Sequence, residues 1–384
     1  MKICMFLLSE FTHDARVTKE ARTLLSAGHE VTIVALKSKD IPKKESKYGI
    51  EVHRINVVLR YILPKGSVFF FIKYLEYIVK AVFLGLIHAF DIYHAHDLDT
   101  LPVGYIVSRL KGKPLIYDSH ELYIDATKQT KLTRLFWHRI EKALAKKPNV
   151  TIMENESRAQ IYVQRYNVPM PQTIMNCQKK SIIVSGKKNY LREKYQIDND
   201  KKILIYQGVI SPARGMDELL EVMEYFDDKK IVLFVVGYGD YKKQMFKKLE
   251  NHPQKEQIFI VGPVSLEELP NYTASADIGI SLLRNTCLNN YYALSNKIFE
   301  YLAAGLPVVF SDFPEMRKVI VGNNVGVVVN ESDPQKIASS IRALLNDPEK
   351  YEQMSKNAKR IIEEKYNWEI EADKLLKIYS NFEK

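Results

Sequence analysis

The chain has 384 residues, 46% of them hydrophobic and 27% charged. That composition is globular and excludes a disordered or collagen-like chain, and the length is enough for two ordinary domains. The formal charge is +10 and unevenly placed, with 26 basic against 17 acidic residues through Met175 and 30 against 29 in the remainder. A basic first half suits an anionic acceptor or membrane surface, although a plainly solvated basic face fits it equally well. Cys4, Cys177 and Cys287 lie far apart, without metal or disulfide spacing, so a reducing compartment is the simple reading. The first strand runs straight into a polar loop, which is not a signal-peptide pattern, and a cytoplasmic location is expected.

In chain order, Lys2–Leu8 reads as an apolar strand. Asp14 caps a helix over Ala15–Ala27, Gly28 stops it, and Glu30–Leu36 is the next strand. Ile50–Asn56, Asp91–Ala95, Lys113–Tyr117 and Val150–Met153 are further strands. Val68–Phe90 is rich in Phe, Tyr, Ile and Leu, with Lys73, Glu76 and Lys80 on one face. Its longest uncharged run, Ala81–Phe90, is too short to span a bilayer. It is read as a core helix, or as a helix lying in a membrane interface or receiving a lipid-linked acceptor.

The segment from Asn176 to Lys201 is polar and weakly periodic and is expected to connect two domains. The pattern then restarts, with strands at Lys202–Gln207, Ile231–Gly237, Gln257–Val261, Ile278–Ser281, Val308–Phe310 and Gly326–Val329. Ser265 with Glu268 reads as a capping box, and Asp333–Pro334 and Asp347–Pro348 as caps followed by Pro at the first helical position. Trp368–Asn381 is an amphipathic terminal helix. Strands alternating with helices in both halves predict two parallel, doubly wound sheets, with ligands at the carboxyl ends of their strands.

The most informative stretch runs from Ser295 to Val309. Ser295 reads as an N-cap, Gly305 and Pro307 as the stop, and Val308–Phe310 as a strand. Backbone N–H groups at the helix start would take a phosphate, and Glu300, one turn on, a ribose diol. Gly208–Val209–Ile210–Ser211–Pro212–Ala213–Arg214–Gly215 follows a strand and places a cation before a helix, which suits a diphosphate. Val236–Gly237–Tyr238–Gly239–Asp240 is a Gly-rich strand exit, and Val261–Gly262–Pro263–Val264 a second one. In the first half, Tyr93–His94–Ala95–His96–Asp97 and Tyr117–Asp118–Ser119–His120–Glu121 each follow a strand. Histidines beside carboxylates can bind metal, but nothing in these runs has the spacing of a known metal motif.

These segments together resemble the family 4 (group 1) glycosyltransferases of the GT-B fold, of the polysaccharide- or glycolipid-building type. The resemblance spans nearly the whole chain. It implies an α/β architecture of two Rossmann-like domains facing a central cleft: 1–180 for the acceptor, 200–366 for the nucleotide-sugar, and a terminal helix over 367–384 returning to the first domain. It also implies a retaining hexosyl transfer from a nucleotide diphosphate sugar, UDP above all, to a hydroxyl of a glycan or polyprenyl-lipid-linked acceptor, without metal or other cofactor. Arg214 and His120 carry the catalytic roles by this resemblance, His120 beside the transferred sugar. Gly208, Arg214, Gly237, Gly262, Ser295, Asn296, Lys297 and Glu300 face the donor. His13, Asp14, His96, Asp97 and Glu121 lie on the acceptor side. Family members often carry a glutamate eight positions before Glu300, where this chain has Tyr292.

A nucleotide-sugar 2-epimerase of the same fold and a module binding an anionic polymer are the other readings. Peripheral contact with an anionic membrane at the inner face of the cell membrane fits the basic half, and no nucleic acid is expected.

Overall fold

The computed structural model describes residues 1–12, 14–64, 66–126, 130–183, 186–265 and 267–383. The acceptor-side expectation at His13 lies outside the described residues. The chain forms two compact units, Met1–Asn176 with Glu371–Lys384, and Cys177–Ile370.

The first unit contains β1 (Lys2–Phe6), α1 (Ala15–Ser26), β2 (Glu30–Leu36), β3 (Lys44–Lys47), β4 (Ile50–Ile55), α2 (Leu59–Ile62), α3 (Ser67–Ile87), β5 (Ile92–His96), α4 (Leu101–Lys111), β6 (Leu115–Ser119), α5 (Lys131–Leu144), β7 (Val150–Met153), α6 (Glu156–Tyr166) and β8 (Gln172–Thr173). Its sheet order is β3-β4-β2-β1-β5-β6-β7-β8. All pairings are parallel except the edge pair β3–β4. β3 and β8 escaped the sequence reading. β3 is the polar run Lys-Glu-Ser-Lys at an edge, and β8 is two residues long, so neither carries an apolar signature. Central β1 is buried from Ile3 to Phe6, as expected of a parallel strand covered on both faces. Asp14 caps α1 as read, its Oδ1 accepting from the Val17 N–H at 3.0 Å.

The second unit contains α7 (Tyr190–Tyr195), β9 (Lys202–Val209), α8 (Met216–Glu224), β10 (Ile231–Tyr238), α9 (Lys242–Glu250), β11 (Ile258–Val261), α10 (Leu269–Ser275), β12 (Ile278–Ser281), α11 (Leu288–Tyr291), α12 (Lys297–Ala303), β13 (Val308–Ser311), α13 (Pro314–Ile320), β14 (Gly326–Val329), α14 (Pro334–Leu345) and α15 (Pro348–Glu364). Its all-parallel sheet is ordered β11-β10-β9-β12-β13-β14. Asp333 and Asp347 cap α14 and α15 as read. Ser265 Oγ accepts from the Glu268 N–H at 3.2 Å, while the Glu268 carboxylate accepts from Tyr190 Oη instead of closing the box.

The stretch expected to connect the two domains begins where the first unit ends and packs onto the second unit. Leu191 of α7 is buried, Tyr190 packs on Tyr272 with ring centroids 5.2 Å apart, and Lys187 pairs with the buried Asp277. Its polar look reflects side chains bonding to α10 and to Asp277. The last helix, α16 (Trp368–Ser380), belongs to the second unit through Ile370 and to the first from Glu371 onward. Glu371 Oε2 accepts from the Met175 N–H at 2.9 Å, and Tyr379 is fully buried in the first unit.

α3 is a helix, as expected, with a split character. Near its start Phe70 and Phe71 face inward: Phe71 meets Phe136 at 4.8 Å and Phe70 meets Trp137 at 6.1 Å. Ile72, Leu75, Val79, Phe83 and Ile87 instead form an exposed stripe at helical spacing. The charged side chains between them are occupied locally. Glu76 accepts from the N–H groups of Val58 and Leu59 and pairs with Lys80, and Lys73 bonds the Pro64 carbonyl at 2.8 Å. Among the described residues no helix is long and apolar enough to cross a membrane.

Candidate active site

In each doubly wound sheet the strand order reverses beside the first strand of the unit, and ligands bind at the carboxyl ends there. In the second unit this point lies between β9 and β12. Gly208 stands near the carboxyl end of β9, and the loop leaving the strand runs into a 3₁₀ turn, Pro212–Arg214. Arg214 is half-buried and, among the described residues, pairs with no carboxylate. A Cβ built on Gly208 would sit 3.4 Å from Lys297 Nζ, so β9 and α12 meet here.

Lys297 is buried, and its Nζ lies 3.9 Å from the centroid of the Tyr206 ring. Burial, and then the positive charge of Arg214, hold its ammonium well below the ordinary lysine range, opposed by Glu300. A diphosphate arriving here would meet Arg214 and relieve the repulsion that Arg214 imposes on a charged Lys297. Glu300 is half-buried on the same helix. Its Oε1 accepts from Gln178 Nε2 at 3.0 Å and its Oε2 from Gln207 Nε2. Gln207 is held in turn, its N–H bonded to Tyr301 Oη and its Oε1 to Thr273 Oγ1, both at 2.9 Å. Gln178, Gln207 and Tyr206 were missed in the sequence. They carry no motif of their own and become site residues only through the fold.

One expectation changes. Ser295 is not the N-cap of α12. Asn296 precedes the helix in already helical backbone (φ −55°, ψ −32°), with no side-chain cap bond, so the Ser295 hydroxyl stands one residue too early. Ser295 contributes its carbonyl, bonded to the Ile298 N–H at 3.0 Å, and Asn296 is exposed. Gly237 is buried and answers to packing: at φ +156°, a Cβ there would lie 1.8 Å from the Gly208 carbonyl oxygen. Gly262 follows β11, two strands from β9 and away from the Gly208–Lys297 contact. Tyr292 ends α11 and packs on Tyr291 at 4.9 Å.

In the first unit the reversal lies between β1 and β5. There the structure assembles the two histidine runs around Asp118. Arg16 from α1 grips both Asp118 oxygens, Nε to Oδ2 at 2.9 Å and Nη2 to Oδ1 at 2.8 Å. His120 Nε2 lies 3.2 Å from Asp118 Oδ2 and 3.1 Å from His96 Nδ1, and its Nδ1 lies 3.4 Å from Asp97 Oδ2. The Asp97 carboxylate also accepts the His120 N–H at 2.9 Å, and Arg158 Nη1 bonds the His120 carbonyl at 2.9 Å. Burial opposes a charge on His120, but Asp97 and Asp118 outweigh it and push the imidazole up to about 10. Burial also acts against ionised Asp118, and Arg16 with His120 more than offsets it, keeping Asp118 well below the usual carboxylate range.

His96 and Asp97 therefore sit with His120 as read, while Glu121 flanks it and Asp14 is engaged as the α1 cap. Asp118, Arg16 and Glu20 escaped the reading, although Asp118 adjoins His120 in the chain and Arg16–Glu20 has the i,i+4 spacing of a helical pair. One ligand atom from each of Glu20, His94, His96 and Asp118 lies within 4.8 Å of the others. Spacing along the chain did not anticipate this group, because its members come from three separate elements.

The sequence profile of Glycosyltransferase Family 4 matches residues 15–176, and that of Glycosyl transferases group 1 matches residues 187–361. An uncharacterised glycosyltransferase of Methanocaldococcus jannaschii is 22% identical over 94% of this chain and 91% of its own length. Among solved structures, sucrose-phosphate synthase from Thermosynechococcus elongatus superposes with a TM-score of 0.82 at 18% identity, covering 99% of this chain and 98% of that one. Anabaena HepE in complex with UDP-glucose gives 0.77 at 16% identity, covering 99% and 100%. The two structures share the two-domain fold.

Proposed function

This chain belongs to the group 1, family 4 glycosyltransferases, and we propose that it moves a hexose from a UDP-sugar, with retention, to a hydroxyl of a glycan or lipid-linked acceptor. The observation that carries the donor reading is the meeting of Lys297, Arg214 and Gly208 at the strand-order reversal of the second unit, with Glu300 one turn along α12. The cations take the diphosphate and the carboxylate takes the ribose diol. The choice of UDP is supported by HepE, of the same fold, which is solved with UDP-glucose.

In the transfer, the bond from the anomeric carbon to the diphosphate breaks and a bond to the acceptor oxygen forms on the same face. The acceptor proton passes to the leaving phosphate oxygen. Negative charge grows on the diphosphate as its bond breaks, so Arg214 and Lys297 bind the transition state better than the ground state. They supply there the charge that a divalent ion supplies elsewhere, and the proposed transfer runs without metal at the diphosphate. His120, charged and held between Asp97 and Asp118, sets a fixed positive charge beside the transferred sugar.

The exposed apolar stripe of α3 supports an acceptor met at a membrane surface. Leu75, Val79 and Phe83 are 60%, 61% and 61% exposed, with Tyr61 and Ile62 of neighbouring α2 also exposed. A contiguous apolar face of this kind marks an interaction surface. Incubation with UDP-, GDP- and ADP-sugars and a polyprenyl-diphosphate glycan tests the whole reading. Acceptor-dependent release of UDP with an elongated glycan is expected. Isomerised sugar without transfer would identify an epimerase instead.

A further inference from the structure

We propose that the first unit binds one zinc ion through Glu20, His94, His96 and Asp118, as a structural brace between α1, β5 and β6. All four residues belong to the first unit, and two of them, His96 and Asp118, also contact His120.

The argument starts from unmet bonding capacity. Glu20 and His94 are fully buried and His96 is 2% exposed. His94 Nε2, His96 Nε2 and both carboxylate oxygens of Glu20 are buried without any hydrogen bond. Arg16 does not relieve Glu20. Its Nε lies 3.0 Å from Glu20 Oε1, but the single proton on that nitrogen goes to Asp118 Oδ2. Several such groups unsatisfied at one spot are out of keeping with folded proteins, where buried polar atoms are paired.

The other edges of both rings are anchored. His94 Nδ1 meets Tyr379 Oη at 2.8 Å, and His96 Nδ1 meets His120 Nε2 at 3.1 Å. The two rings stack with centroids 4.2 Å apart, as residues i and i+2 of β5 on one face of the sheet. His94, fixed through Nδ1 with a bare Nε2, has the arrangement outer partners impose on metal-binding histidines, and zinc on His96 Nε2 would put the His96 proton on Nδ1, donated to a His120 made neutral by the ion. Asp118 Oδ2 takes both Arg16 Nε and His120 Nε2, whereas Oδ1 takes Arg16 Nη2 and keeps a second lone pair for ligation.

Two imidazoles and two carboxylates, all buried, make a closed four-ligand set. Histidine and carboxylate are both zinc ligands, four donors suit its tetrahedral geometry, and imidazole ligands disfavour magnesium and calcium. The present separations of up to 4.8 Å must contract modestly to reach ligand distances of about 2.0–2.2 Å from the ion. Two carboxylates balance the charge of a divalent ion.

The test is the metal content of untagged full-length protein expressed in zinc-supplemented medium, by mass spectrometry. One zinc per chain is expected. Stripping with a chelator should lower Tm, and added Zn²⁺, but not Mg²⁺, should restore it. Co²⁺ should enter the stripped protein with the visible absorption of a tetrahedral site. Glu20→Gln and His94→Gln should each lose the metal, and His138→Gln, on α5, should keep it. If either site variant fails to fold, the wild-type metal content still decides. Wild-type protein with no zinc, and with a Tm unmoved by Zn²⁺, would overturn the proposal and leave the four residues as a network satisfied by protons alone.

Discussion

Gln178 donates a 3.0 Å hydrogen bond from its side-chain amide to Glu300 Oε1. With Gln207 on the other oxygen, two amides hold the carboxylate in the way two ribose hydroxyls would. Donor binding therefore exchanges hydrogen bonds and does not have to create an ordered carboxylate, which limits its entropic cost. Glu300→Gln removes the charged acceptor. A hydrogen bond to a charged group contributes about 1.5–3 kcal/mol, so UDP should bind roughly 10- to 100-fold more weakly, with Tm little changed. Calorimetry that finds unaltered UDP affinity would take Glu300 out of the donor site.

Arg214→Ala should lower kcat as well as raise the donor KM, because the diphosphate gains charge as the bond breaks. Arg214 is half-buried and, among the described residues, pairs with no carboxylate, so the fold should survive its loss. Wild-type turnover at saturating donor would make Arg214 a ground-state binder only.

His120→Ala should abolish most of the transfer while leaving UDP affinity in the wild-type range, since His120 belongs to the first unit and the UDP cluster to the second. Parallel loss of UDP binding and activity would contradict that division of labour.

Phe83→Asp and Val79→Asp alter exposed positions of α3 and should leave the protein folded. Wild-type protein should co-sediment with anionic vesicles at low salt and be released at high salt, each basic residue near the surface contributing about 1 kcal/mol. Both variants should bind more weakly. Phe71→Asp, whose ring meets Phe136 at 4.8 Å, should instead destabilise the first unit. Absence of vesicle binding at any salt would assign the stripe to a protein or soluble partner.

Glu141 supplies a pH signature of stability. Its carboxyl is buried against Tyr166, and burial pushes it up to about 7, with the Tyr166 hydrogen bond and Arg165 opposing. The unfolded value is about 4.3. Between these two values the folded state holds more protons than the unfolded state, so stability falls as pH rises through that window and stays lower above it. Glu141→Gln removes the titration and keeps an acceptor for Tyr166. Denaturation followed by tryptophan fluorescence should show the variant gaining on wild type from pH 5 to pH 8. A gap independent of pH would show that Glu141 ionises in the fold as freely as in the unfolded chain.

Much of the architecture was legible residue by residue. Glu30–Leu36, Val150–Met153, Ile278–Ser281 and Gly326–Val329 are strands with the bounds read from their apolar runs. Asp14, Asp333 and Asp347 each start a helix as read. The Ser295 cap failed because cap signals name a neighbourhood while backbone geometry selects the residue within it. The site was half legible. Arg214, Lys297, Glu300 and His120 stand in recognisable runs, whereas Gln178, Gln207, Arg16 and Glu20 do not.

The sequence by itself determined the kinds of element and their alternation, because apolar period, caps and stops act over a few residues and need no knowledge of the rest of the chain. Only the tertiary structure decided which side chains meet. Arg16 reaches Asp118 across 102 positions, and Glu300 receives amides from 93 and 122 positions away. Those meetings follow from strand order, which sets β1 between β2 and β5 and β9 between β10 and β12. Strand order is settled by burying all the helical faces at once, a global condition that no local pattern records. The same condition buried one face of α3 and left Leu75, Val79 and Phe83 in solvent.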